Sequence, residues 1–238
     1  MAHVTMAGWD DVPHLSESEK RELMSSIPPH QLDARTKGVP MLGSGAIYPI
    51  DEREIAVDPF DIPSYWPRGY GMDVGWNWTA AVWVAHDVDS DTIYLYDAYK
   101  RGQAEPPIHS AAIKARGDWM EGEIDPAARS RSQKDGEQLR ELYSALGLWL
   151  RDADNAREAG IMEMWTRLTT NRLKVFKHLQ DWFMEFRIYR RDEKGQVVKV
   201  NDHLMDATRY RLMRTNRLVS EAMGVYGSRR VPVYRGST

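Results

Sequence analysis

Three aspartates and a histidine, Asp73, Asp125, Asp206 and His203, carry the chemistry this sequence suggests. Asp73 lies in Arg68-Gly-Tyr-Gly-Met-Asp-Val-Gly-Trp-Asn-Trp-Thr79, a carboxylate among glycines and apolar residues. An acid in a buried strand must be hydrated, paired or bound to a cation, because an unpaired buried charge costs on the order of several kcal/mol. Asp125 closes Gly122-Glu-Ile-Asp125 at the C-terminal end of a predicted strand, the end at which open α/β sheets bind ligands. Asp206 follows His203 by three residues in Asn201-Asp-His-Leu-Met-Asp-Ala-Thr-Arg-Tyr210. A helix there sets Asp202, His203 and Asp206 on its first turn and a half, with Asp206 where the helix dipole favours negative charge. One carboxylate from each of three separate elements is the usual way to hold two divalent ions about 4 Å apart. In that reading Asp73 bridges both ions, one activating a water for attack on a phosphodiester and the other stabilising the leaving oxygen. His203 then ligates a metal, shuttles a proton or contacts the phosphate. Plainer readings exist for each acid: turn hydrogen bonds for Asp73, an Asp-Pro turn for Asp125, helix capping for Asp202 and Asp206. Glu123 is the nearest competitor of Asp125.

The elements that must position these residues follow from periodicity. Three strands, 69–76, 79–86 and 93–99, are joined by turns short enough to require an antiparallel meander. A helix over 106–120, a strand over 122–125, a helix over 136–146 and a short strand at 148–150 come next. A helix at 155–168, a strand at 173–176 and a helix at 179–186 precede a basic β-hairpin over 190–199, and the last helix runs from 201–202 to about 217. Gly71 and Gly75 allow another backbone or a ligand to approach the first strand closely. The spacing of Asp87, Asp89 and Asp91 lacks the glycine and glutamate of a calcium loop and is read as a hairpin tip. Ser16 and Glu19 have capping-box spacing for a short helix that Pro28 ends. From Leu32 to Trp66 prolines and glycines give an irregular or extended chain.

Composition narrows the chemistry further. The 238 residues are 42% hydrophobic, enough for a core, and the absence of cysteine excludes disulfides, thiolate zinc and cysteine nucleophiles, leaving oxygen or imidazole to hold any metal. All-oxygen sites suit Mg²⁺ and Mn²⁺ alike. No run approaches the roughly 18–20 apolar residues of a membrane span and no signal-peptide core is seen, so a soluble intracellular protein is expected. Net charge is −3, yet residues 1–164 carry 16 Lys+Arg against 28 Asp+Glu and residues 165–238 carry 16 against 7. That basic last third, with Arg190, Arg191, Lys194 and Lys199 on the hairpin, can meet a polyanion, and Arg129, Arg131 and Lys134 can contact phosphates beside Asp125.

This element order is that of the ribonuclease H-like fold: a mixed sheet of three antiparallel and then parallel strands, flanked by helices. More specifically, Gly71-Met-Asp-Val-Gly-Trp, Glu123-Ile-Asp-Pro-Ala and Asn201-Asp-His-Leu-Met-Asp-Ala-Thr-Arg-Tyr resemble the C-terminal nuclease domain of the large terminase subunit of tailed double-stranded DNA bacteriophages. The resemblance spans residues 8–215, and Trp9-Asp-Asp-Val-Pro-His-Leu and Arg35-Thr-Lys-Gly-Val-Pro-Met-Leu resemble the end of the terminase ATPase region. It implies a metal-dependent DNA endonuclease that cuts concatemeric viral DNA during packaging, with two Mg²⁺ or Mn²⁺ ions on Asp73, Asp125 and Asp206 and with His203 as the family's helix histidine. Some members place Glu at the second position. Double-stranded DNA, the portal protein and the small terminase subunit are the implied partners, and the host cytoplasm at the procapsid portal is the implied place. There is no Walker A sequence, so translocation belongs to an N-terminal ATPase domain absent from this chain. The implied division is 1–63 as linker and ATPase remnant, 64–217 as nuclease domain and 218–238 as a flexible basic tail. Two alternatives stand beside it: a DNA- or portal-docking module without cutting activity, and an actin-like ATPase suggested by Asp73-Val-Gly-Trp-Asn-Trp-Thr79. The latter needs a second such loop and an adenosine-binding glycine motif, and the sequence shows neither.

Overall fold

In a computed structural model of the chain, residues 8, 9, 16–26, 36, 45–126 and 139–227 are described. One seven-stranded sheet organises them, in the order β1-β7-β4-β3-β2-β5-β6. The centre is a meander of β2 (Arg68–Asp73), β3 (Thr79–Asp87) and β4 (Thr92–Arg101), antiparallel throughout. β5 (Glu121–Ile124) lies parallel to β2, and β6 (Trp149–Asp152) parallel to β5. On the other side β7 (Leu173–Phe176) runs parallel to β4, and β1 (Ala56–Val57) parallel to β7. The mixed sheet expected from the sequence is therefore present, with the predicted strand at 173–176 beside β4 and the unpredicted β1 added beyond it.

Seven helices accompany the sheet among the described residues: α1 (Glu17–Ser26), α2 (Glu52–Ile55), α3 (Pro106–Lys114), α4 (Leu139–Ala145), α5 (Arg157–Thr169), α6 (Gln180–Ile188) and α7 (His203–Gly227). The predicted capping box forms, with the Ser16 amide donating to Glu19 Oε2 at 2.9 Å and the Glu19 amide to Ser16 Oγ at 3.3 Å. β3 is buried along almost its whole length, as its run Thr-Ala-Ala-Val-Trp-Val-Ala-His requires of a central strand covered on both faces. Side-chain alternation splits the core. Ala80, Val82 and Val84 pack with Trp182, Phe186, Leu204 and Leu212 of α6 and α7, whereas Tyr70, Met72, Ala81 and Trp83 pack with Ile113 of α3 and Tyr143 of α4.

Several boundaries differ from expectation. α3 stops at Lys114 and turns carry the chain to Met120, because Gly117 adopts φ 136°. The hairpin over 190–199 is a tight turn with the single bridge Arg191↔Val197 and a left-handed Gly195, not a pair of regular strands. α7 continues to Gly227, ten residues past the predicted end, since no proline interrupts it there. Residues 45–63 do not simply lead into the sheet: Tyr48 and Ile55 are core residues, and β1 forms the edge beside β7. Asp91 is indeed at a hairpin tip, with φ 49° and a carboxylate shared by His86, Arg167 and Arg172.

Candidate functional site

Asp73 is the last residue of β2, and Asp125 follows the last residue of β5. The two strands are adjacent and parallel, with Met72 opposite Ile124, and the Asp125 amide donates to the Met72 carbonyl at 3.1 Å. The acids thus stand at the same end of neighbouring strands. Asp206 reaches them because α7 lies directly on β2. A Cβ at Gly71 would fall 2.0 Å from the Ala207 carbonyl oxygen, so only glycine there lets the helix come this close.

Electrostatics reports the same gathering. Burial pushes the Asp73 carboxyl above the usual carboxylate range; the hydrogen bond from His203 opposes this, while Asp206 and Asp125 add to it. His203 Nδ1 lies 2.8 Å from Asp73 Oδ2, and that hydrogen bond, before any other cause, raises the imidazole. Tyr210, one turn beyond Asp206, is buried, and its phenol is held far above its ordinary range by burial and then by Asp206, Asp125 and Asp73. Asp202 is a further buried acid, pushed up by its own desolvation and then by Asp206.

These side chains already have partners. Asp206 Oδ1 accepts from Arg209 Nη2 at 3.2 Å, and Arg209 is itself buried, stacked over Tyr210 and seated against Gly160. Among the described residues no three His, Asp or Glu side chains converge closely enough to form a metal-binding group as they stand. The donor chemistry nevertheless fits a hard divalent cation: carboxylates and one imidazole, with like charges crowded in one recess where a cation would relieve both repulsion and desolvation.

Three pairs that the sequence did not reveal build the frame. Arg211 holds the buried Glu123, the competitor of Asp125, through both carboxylate oxygens, at 3.1 and 2.9 Å. Glu185 of α6 accepts from Lys100 at 2.6 Å and from the Leu204 amide at 2.6 Å, capping α7 from another helix where Asn201 or Asp202 was expected to cap it. The Trp182 indole donates to Thr208 Oγ1 at 2.9 Å. A signal for Glu185 was available, since it shares the apolar face of α6 with Trp182 and Phe186. Arg209 and Arg211 gave none, lying in a segment where basic residues read equally well as solvent-facing.

Among the basic residues expected at DNA, Arg129, Arg131 and Lys134 lie outside the described residues. Arg190 bridges to Ala46, and Arg191 is paired with Glu158 at 2.5 Å. Lys194 sits exposed at the hairpin tip, whereas Lys199 lines a groove that His203 borders.

A family model described as the terminase RNase H-like domain matches residues 70–215. The large terminase subunits of Salmonella phage P22 and Enterobacteria phage LP7 are each 32% identical over 211 residues, 85% of this chain. The chain spans less than half of their lengths, 42% and 44%. The nuclease domain of the P22 large terminase superposes with a TM-score of 0.68 at 32% identity, covering 73% of this chain and 94% of that one. The nuclease domain of bacteriophage SPP1 g2p, a large terminase, with bound Mn, shares the fold at a TM-score of 0.50 and 17% identity, covering 67% of this chain and 95% of that one. With the family match covering the three acid-bearing elements and more than half of the residues, the chain belongs to the family of terminase RNase H-like domains.

Proposed function

We propose that this chain is the nuclease part of a DNA-packaging terminase, a metal-dependent endonuclease that cuts concatemeric viral DNA by two-metal phosphodiester hydrolysis. What supports this reading is that Asp73 and Asp125 end adjacent parallel strands, with His203 of α7 hydrogen-bonded to Asp73 and Asp206 close enough to raise its carboxyl. The Mn named with the SPP1 nuclease, and the magnesium named with that of phage G20c, are the kind of ion such a donor set takes.

Asp73, Asp125 and Asp206 would hold the ions, with Asp73 between the other two. Bound there, a pair of divalent ions supplies an activated water and charge stabilisation at the leaving oxygen. Arg209 engages Asp206 through Oδ1, an ion pair that metal binding at Asp206 would have to share. His203 keeps a proton at Nδ1 toward Asp73 and presents its other ring nitrogen for proton transfer or a phosphate contact. In the whole protein the partners would be double-stranded DNA, an N-terminal ATPase domain, the portal protein and the small subunit, in the host cytoplasm at the procapsid portal. Among the described residues no helix is long and apolar enough to cross a membrane.

The test is nicking of supercoiled plasmid with Mg²⁺ or Mn²⁺. Asp73→Ala and Asp206→Ala are expected to fall to background while keeping the circular dichroism spectrum of the parent. Undiminished cutting by both overturns the reading. The pairing of Asp206 with Arg209 favours one other reading, a docking module that binds DNA without cutting it. That reading requires metal-independent binding that weakens steeply with salt, and no cleavage by the parent protein.

A further inference from the structure

Beside His203 a groove of about 850 Å³ opens between the ends of β3 and β4 and residues 199–203, within the ~300–1,000 Å³ typical of ligand sites. Trp78, Arg101, Gln103, Lys199, Asn201 and His203 line it. The indole of Trp78 is 41% exposed, and the Lys100 ammonium lies 4.8 Å from its ring centroid, anchored in turn by Glu185. Arg101 and Lys199 are exposed and form no ion pair among the described residues.

The backbone of this groove is specially built. Gln103 and Asn201, both with φ 50°, are two of only four non-glycine residues in the left-handed region among those described. Such conformations cost free energy and collect at ligand clamps. Between Lys100 and Gln103 the chain also packs so tightly that a Cβ on Gly102 would lie 2.2 Å from the Asn77 carbonyl oxygen.

An exposed aromatic ring, two unpaired cations and the side-chain amides of Gln103 and Asn201 are what a single nucleic-acid strand needs. Bases stack on the ring, phosphates meet the cations, and base edges exchange hydrogen bonds with amides. Stacked bases inside a duplex do not offer their faces to a side chain. We infer that this groove binds an unpaired DNA strand and leads it to His203 and Asp73, so that the protein favours locally opened DNA over intact duplex. The binding stands on the groove alone; its link to cutting rests on the nuclease reading above.

The experiment uses the full chain without divalent metal, titrating a fluorescein-labelled oligothymidylate, the same oligonucleotide with abasic positions, and a duplex of equal length. The parent should bind the oligothymidylate more tightly than the abasic strand or the duplex. Trp78→Ala should weaken oligothymidylate binding about tenfold with little effect on the abasic strand, and Trp78→Phe should restore most of it. Lys199→Gln and Arg101→Gln should weaken both strands alike and each lower the salt slope by about 0.7. Equal binding of all three ligands, or a Trp78→Ala loss as large on the abasic strand, overturns the inference. With Mn²⁺ added, a plasmid bearing a mismatch bubble should be cut faster than its fully paired counterpart by the parent and not by Trp78→Ala. If Asp73→Ala and Asp206→Ala both cut undiminished, the nuclease reading fails while the binding result stands; if only the bubble preference is missing, the groove's role fails while that reading stands.

Discussion

Glu185 holds two positive groups at once, the Lys100 ammonium and the N-terminal end of α7 at the Leu204 amide, and is almost fully buried while doing so. Burial raises its carboxyl above the ordinary 4.5, against the opposing pull of Lys100 and of that amide. A raised acid means the folded protein keeps a proton that the unfolded chain releases. Glu185 therefore costs stability as the pH climbs from about 4.5 through its raised value, and adds no further pH dependence above it. Glu185→Gln has no carboxyl to titrate. The unfolding free energy of the parent relative to Glu185→Gln, measured in urea, should accordingly fall as the pH rises from about 4.5 through the raised value and then level off; a difference independent of pH contradicts this. Asp73, Asp125 and Asp206 were legible in the sequence because each is an acid in an apolar, glycine-flanked or helix-starting setting. Arg209 and Arg211 were not, because a charged residue within an amphipathic helix reads as solvent-facing until its partner, here up to 88 residues away, is known.

At the scale of elements, the approach of α7 to β2 decides whether the acids meet. Gly71 and Gly69 form the floor on which the helix lies, and Arg211 crosses Gly69 to reach Glu123. Gly71→Ala would set a methyl group against the Ala207 carbonyl and push the helix outward. The expected cost is about 1–3 kcal/mol in urea unfolding, with plasmid cutting lost well before the fold is. A variant as stable and active as the parent would show that the helix can settle elsewhere. The expectation that Gly71 admits another backbone was correct, and its reason is strand geometry: residues 69, 71 and 73 share one face, so the side chain missing at 71 lies in line with Asp73. The end of α7 was misread: residues 218–238 read as having little periodicity, yet Leu218, Ala222 and Val225, and Val219, Met223 and Tyr226, recur at helical spacing.

Across the whole molecule, the sheet takes in more than the three-strand meander and its parallel neighbours. The segment before β2 contributes Ile55, fully buried beside β7, and Tyr48, stacked on Phe186 and Tyr189 next to Glu185. Ile55→Ala should cost about 2–5 kcal/mol by urea denaturation, although residue 55 precedes the matched span 70–215. A change below 0.5 kcal/mol, roughly the scale of a surface substitution, would show that this segment is merely laid against the domain. Sequence reading gave this stretch no element, since prolines and glycines hid a two-residue strand and a one-turn helix. The charge asymmetry between the two parts of the chain is likewise partly internal, because Arg167, Arg209 and Arg211 are themselves buried and spend their charge on carboxylates within the fold.

One consequence concerns time. Asp73 and His203 are 130 residues apart, and α7 is the last to be made of the elements among the described residues. At the usual ribosomal pace of 5–20 residues per second, the nascent chain carries its first acid for roughly 6–26 s before the helix that brings the third has been synthesised. The meander of β2, β3 and β4 joins neighbours in sequence and can form early, whereas the β2–α7 contact closes the longest loop among these elements and comes late. Under the nuclease reading, synthesis itself delays arming: the unfinished polypeptide is harmless to any DNA nearby, and competence arrives with the docking of one helix.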